Sequence, residues 1–248
     1  MVELKNTSFS TPPSIKKERG KLMNIILGII NIIVTFSLLI LVERIFKREG
    51  LYIWICMSTI VANILVCKSI TLLGFTTNLG NVMFGSIFLA SDIMSEKYGY
   101  EDSRKAAMLG ATSQVLFMII MALALPYIPS EVDFGQESMM TLFPVNIRIG
   151  IVSVLMYLAS SLLDIQIFKK IKQRFPKFLW LRNNVSTIIS SCLQNYLFTF
   201  LAFSGIYDIM TMCTAANVAS VLEIIISLAG TPFIYLSKKW IFEPKKIS

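Results

Sequence analysis

Along this chain, near-continuous apolar runs alternate with short polar connectors. Runs such as "LMNIILGIINIIVTFSLLILV" are apolar all round and about 20 residues long, the length that crosses a bilayer core. The pattern predicts helices at about 22–42, 51–72, 80–95, 106–126, 143–168, 185–206 and 209–236. They are expected to be helical because a segment in lipid must satisfy its own backbone hydrogen bonds. The expected architecture is therefore an all-α, polytopic membrane bundle of seven transmembrane helices, a six-helix core plus an extra N-terminal helix. A basic tail at 1–21, one membrane domain at 22–240 and a short basic cytoplasmic tail at 241–248 complete it. The first run outlasts a signal-peptide core and precedes no small-x-small cleavage site, so it is expected to remain as a helix.

Charge refines the picture. The connectors at 43–50, 97–105 and 169–182 and the tail after Ser237 hold 16 of the 23 Lys and Arg residues, whereas 127–142 has three acids and no base. This alternation predicts that the basic side is cytoplasmic, with the C-terminus inside and the N-terminus outside. "IKKERGK" at 15–21 disagrees, and the later helices are expected to override it. The net charge of +8 is thus a topology signal before it is a nucleic-acid signal. Trp180, Tyr207 and Trp240, near run ends, read as interface anchors.

Ionisable groups inside apolar runs cost about 2.5–3.5 kcal/mol each on insertion scales, so they mark candidate sites. In the third run Asn81, Gly85, Phe88, Asp92 and Glu96 keep one helical face, an amide, a gap, a ring and two carboxylates. Such a wall suits a polar ligand with several N–H donors. Asp92 and Glu96, near the helix end, could instead be solvated or paired with Lys97, Arg104 or Lys105. Arg148 and Asp164 lie at opposite ends of the fifth run, about 24 Å apart at 1.5 Å per residue, and cannot pair with each other. Glu223 is the deepest charge; it is expected to be protonated, paired with Arg148 or Lys68, or part of a proton or substrate route. Gln194 and Asn195 lie within the sixth run, and Asn63 and Lys68 in the second. Asn63 reads equally as interhelical hydrogen-bond glue.

With no His, imidazole metal sites, His bases and Ser-His or Cys-His pairs are excluded. The four cysteines fall in apolar runs without Cys-x-x-Cys spacing and read as buried structural thiols. No metal or cofactor is expected. Nor is there a Gly-x-x-x-x-Gly-Lys-Ser/Thr loop, so this chain is not expected to hydrolyse ATP through a P-loop.

The stretches "ANILVCKSITLLGFTTNLGNVMFGSIFLASDIMSEKYG" (62–99), "RIGIVSVLMYLASSLLDIQIF" (148–168), "WLRNNVSTIIS" (180–190) and "GTPFIYLSKKW" (230–240) together resemble the queuosine precursor transporter family, also called the vitamin uptake transporter family. The likeness spans roughly 44–240 in order. It implies a non-enzymatic multi-pass inner-membrane transporter that imports a 7-deazaguanine-type base for tRNA modification. Its partners would be the small nucleobase-like substrate and the bilayer, with a homo-oligomer conceivable and no direct nucleic acid. The motif positions match at Asn63, Lys68, Asn81, Asp92, Glu96, Arg148 and Asp164. Taken with the reading of the apolar runs, the candidate substrate-binding set is Asn63, Asn81, Phe88, Asp92, Arg148, Asp164, Gln194 and Glu223, with Lys68 and Glu96 for gating or ion coupling. The chain departs from the pattern at Ser161, Ser191, Gln194, Glu223 and Gly230. A substrate-binding subunit of an ATP-driven vitamin importer, with ATPase partners, is the alternative. An intramembrane lipid-modifying enzyme is the weaker one, because only Asp92 with Glu96 approaches the clustered carboxylates it needs.

Overall fold

A computed structural model of the protein describes residues 13–72, 75–143 and 147–239, with side chains at 13–19 and 147–148 undescribed. The tail to residue 12, Trp240 and the final basic segment lie outside the described residues, as do the side chains of Lys16, Lys17, Arg19 and Arg148.

Helix α1 runs Pro13–Leu65 but breaks at Lys47, whose φ of 55° and ψ of −128° are not helical. Unbroken, its 46-residue stretch Gly20–Leu65 would extend about 69 Å, more than twice the hydrocarbon thickness. Instead the chain turns back: Asn24 Nδ2 donates to the Thr71 carbonyl at 3.0 Å, so the second limb returns beside the first. Gly50 permits this turn, since a Cβ there would sit 2.5 Å from the Val42 carbonyl oxygen.

The second limb ends at Leu65, not at 72 as the apolar run suggests. Ser69–Leu72 (β1) and Phe75–Asn78 (β2) form an antiparallel pair with Ser69 opposite Asn78 and Leu72 opposite Phe75. The reason is local: Ile70, Thr71, Thr76 and Thr77 are β-branched and stiff at χ1, and they flank Gly74, so a pleated hairpin suits them better than another helical turn.

The remaining elements are α2 (Gly80–Lys97), α3 (Tyr100–Ala124), the short α4 (Gln136–Leu142), α5 (Ile147–Arg174), α6 (Leu179–Phe203) and α7 (Ile209–Lys239). Among the described residues five helices, α1, α3, α5, α6 and α7, are long and apolar enough to cross a membrane, so the protein is a helical membrane bundle. The expectation of seven such helices is not met one for one, because two of the predicted runs share the broken α1 and the 18-residue α2 carries three charged residues, Asp92, Glu96 and Lys97.

Helix α2 is the centre of the bundle. From Gly85 to Ser95 every residue is buried, and the helix packs on α1, α3, α5, α6 and α7. Its neighbours are two-faced. Leu116, Ile120 and Leu123 of α3, Ile151 and Leu155 of α5, and Val221, Ile225 and Leu228 of α7 are exposed, an apolar rim suited to lipid. Phe36 and Leu39 in the first limb of α1 are fully buried, and Phe36 meets Phe233 edge-on at 5.4 Å. The N-terminal helix is therefore part of the core along its second half rather than an addition to a six-helix core. The thiols are less buried than expected: Cys67 is exposed and Cys56, Cys192 and Cys213 are half-buried.

The basic connectors gather at one end. Lys97 pairs with the buried Glu43 at 2.5 Å, and Ser237 donates to the same oxygen at 3.0 Å, joining α1, α2 and α7. Beside them Glu96, which follows the apolar 80–95 run, receives Lys172 at 3.0 Å, Arg182 at 2.7 Å and Lys238 at 3.0 Å. Four helices meet on that one carboxylate, and the expected partners Lys97, Arg104 and Lys105 are not among them. Burial pushes the Glu96 carboxyl up, but the hydrogen bonds from Lys172, Arg182 and Lys238 more than offset it and hold it below the usual glutamate value of 4.5. A depressed carboxyl contributes stability above its ordinary pKa and loses it as pH falls through the lower folded value. Thermal unfolding in detergent should therefore show wild-type stability falling as pH drops below 4.5, with Glu96→Gln less stable at neutral pH and less sensitive to acid. Equal acid sensitivity in both would contradict this.

Candidate functional site

The mid-bundle site is built where α2, α5 and α6 meet. Asp92 of α2 and Asp164 of α5 are both completely buried, and their carboxyls lie within interaction range of each other. From α6, Ser190 Oγ donates to Asp164 Oδ1 at 3.2 Å, and Ser186 and Thr187 lie against the same carboxyl. Asp92 Oδ1 and Oδ2 and Asp164 Oδ2 meet no donor among the described residues other than each other's carboxyl, which one shared proton would join. Among the described residues the buried Ser91 Oγ and Asn183 Oδ1 are likewise without a partner. Buried polar atoms are normally satisfied, and a group of orphaned acceptors marks a place for donors from elsewhere.

A narrow cavity adjoins this group, lined by Phe36, Gly85, Leu89, Asn183, Thr187 and Ile226 among others. It has room for about one water molecule. Gly85 is the point of tightest approach, since a Cβ there would lie 2.3 Å from Ile226 Cγ2. The helices are thus closed around the site.

Polar contacts continue along α6 in both directions. Toward the basic end, Asn184 donates to Thr231 at 2.8 Å and accepts from Ser227 at 3.0 Å, both on α7. Arg182, 1% exposed, joins Glu96 and also donates to the Pro176 carbonyl at 2.8 Å. Away from that end, one turn past Ser190, Gln194 accepts from Ser160 of α5 at 2.5 Å. Asn195 donates to the buried Glu223 of α7 at 3.1 Å.

The expected site residues thus fall into distinct groups. Asp92 and Asp164 come together, with Glu96 one turn away and the buried Phe88 one turn to the other side. Gln194 and Glu223 extend the same route. Lys68 is exposed in the turn after α1, away from the deep Glu223, whose described partners are on α6. Asn63 sits in a separate cluster, accepting from Gln114 at 3.3 Å and from Ser153 at 3.3 Å while donating to the Thr59 carbonyl at 2.7 Å. Asn81 donates to Thr77 of β2 at 3.0 Å and steadies the hairpin. Arg148 lies outside the described side chains.

Sequence reasoning missed Arg182, Asn183, Ser186 and Ser190. Placing the sixth helix at 185 put "RNN" in a connector, whereas α6 begins at Leu179. The available signal was the i, i+4 spacing of Arg182, Ser186 and Ser190 and of Asn183 and Thr187, two polar stripes entering an apolar run.

Residues 78–237 match a protein family described as "Putative vitamin uptake transporter". The chain is 35% identical over 211 residues to the "Probable queuosine precursor transporter" of Bacillus subtilis, covering 84% of this chain and 92% of that protein. It is 28% identical over 142 residues to the "Queuosine precursor transporter" of Escherichia coli, covering 57% of this chain and 62% of that protein. A Haemophilus influenzae relative is 29% identical over 131 residues, covering 52% of this chain and 53% of that protein. No solved structure matches it. Several lipid-length apolar helices, a closed acceptor-rich interior and this breadth of similarity agree: the chain belongs to the queuosine precursor transporter family, the vitamin uptake transporters, and is a multi-pass membrane transporter.

Proposed function

We propose that this transporter imports a 7-deazaguanine-type base, a queuosine precursor, by passive or ion-coupled uptake. The observation that carries the reading is the set of orphaned acceptors at Asp92, Asp164 and Asn183. A guanine-like base presents a ring N–H and an exocyclic amine side by side, which a carboxylate accepts as a charge-assisted bidentate pair. Phe88, a turn from Asp92, offers a ring face for stacking once the helices part. Gln194 and Glu223 supply the next polar contacts along α6 and α7, and Glu96 ties the basic end of the same helices. The names of the relatives support the substrate class.

In membrane terms, the two limbs of α1 and helices α2, α3, α5, α6 and α7 would make seven crossings. The end where Lys97, Lys172 and Lys238 gather would be cytoplasmic, with the C-terminus there. Reporter fusions at residue 10 and residue 248 should read out on opposite sides, and same-side activity contradicts seven crossings.

The substrate is tested in cells that neither make nor import queuosine precursors. Expressing this chain and feeding single 7-deazaguanine bases should restore queuosine in tRNA, and Asp92→Asn, at matched protein level, should reduce the uptake rate at least about tenfold through loss of a charge-assisted contact. No restoration by any base, despite membrane insertion, would defeat the substrate assignment.

A further inference from the structure

Asp92 of α2 and Asp164 of α5 lie against each other at the centre of the closed bundle, both completely buried. Among the described residues no Lys or Arg contacts either carboxyl, because Lys172, Arg182 and Lys238 all close on Glu96. The charges that bear on Asp92 are Asp164 from α5, Arg182 from α6 and Glu96 from its own helix, and Arg182 places its hydrogen bonds on Glu96 and the Pro176 carbonyl. The acids of the other packed helices have partners of their own: Glu43 of α1 holds Lys97, Asp102 of α3 accepts from Tyr52, and Glu223 of α7 accepts from Asn195.

Two facing carboxyls without a cation do not both ionise; one proton held between them leaves a single negative charge and gives each a hydrogen-bond partner. The cavity beside the pair has room for about one water, far less than a two-ring base needs, so this closed arrangement is one the carrier passes through without a base. Among the described residues, only a shared proton can then join the two carboxyls.

From this geometry we propose that the Asp92–Asp164 pair keeps one proton through the whole transport cycle, so that the proton gradient does no work on the base. When the base enters, its adjacent N–H donors take the place of the shared bond at Asp92, and the proton remains on Asp164, where Ser186, Thr187 and Ser190 offer hydroxyl acceptors. When the base leaves, the same proton rejoins the two carboxyls. The pair thus carries one proton and one negative charge in both half-cycles, with or without a neutral base. The proton is a requirement for closure and not a co-substrate, which excludes proton symport through this pair. This inference rests on the assignment of Asp92 to the substrate site.

The test uses the protein in liposomes, with 7-deazaguanine as probe and the membrane voltage clamped. Under an inward proton gradient the inside-to-outside ratio of base should settle at about one, whereas one proton carried per base would sustain about tenfold accumulation for each pH unit. Accumulation of that size overturns the proposal, and this measurement decides where Asp164→Asn does not yield folded protein. With equal pH on both sides, wild-type uptake should fall at alkaline pH as the shared proton is lost. Asp164→Asn, whose amide replaces the proton as donor, should show no such fall relative to its own maximum, and matching pH profiles in the two proteins overturn the proposal. If 7-deazaguanine is not carried at all, the substrate assignment fails, and a base-free measurement still decides the proton. The melting temperature of purified wild type should drop as pH rises above neutral, and that of Asp164→Asn should drop by at least about 3 °C less over the same range. Equal drops overturn the proposal.

Discussion

A carboxylate cannot stand against hydrocarbon unaccompanied, and this bundle is arranged so that Asp92 never does. Placing it on α2 requires that helix to be enclosed on every side, and the five long neighbours supply the enclosure. Their outer faces need only be apolar, so they read as uniform greasy runs, while their inner faces carry Ser, Asn, Gln and the remaining acids. Glu96 then fastens the enclosure at the basic end by collecting cations from α5, α6 and α7. The same helix therefore both organises the fold and carries the site.

The positions where this chain departs from the family pattern lie along that interior route. Ser161 is buried against Tyr157, three residues before Asp164 on α5, and Ser191 and Asn195 face Glu223. Gln194 bridges to Ser160, and Gly230 leaves room for Phe36 and Leu89 at the cavity wall. The Glu223 carboxyl is held by α6 amide and hydroxyl groups, so several of these positions share one polar surface between α5, α6 and α7.

Much of this was legible from residue pattern because lipid imposes a simple rule on length and polarity. Helix existence, the grouping of basic connectors and the enclosure of Asp92 and Asp164 within the bundle follow from it. What the pattern could not convey was local geometry. The run at 51–72 hides a switch to β-branched residues that ends α1 at Leu65, and hydropathy does not register it. Nor does it place Arg182, whose charge reads as a connector until α6 is seen to start at Leu179. Asn63 and Asn81 show the converse: polar residues in apolar runs whose described bonds hold neighbouring segments together.

The central claim is that the buried aspartate pair recognises adjacent N–H donors of a base. Equilibrium binding to the purified protein tests it most directly with two ligands, 7-deazaguanine and 7-deazahypoxanthine, which lacks the exocyclic amine. The account predicts that 7-deazaguanine binds about tenfold or more tightly, as expected for one charge-assisted hydrogen bond, and that Asp92→Asn removes the difference. Equal binding of the two bases by the wild-type protein would contradict it.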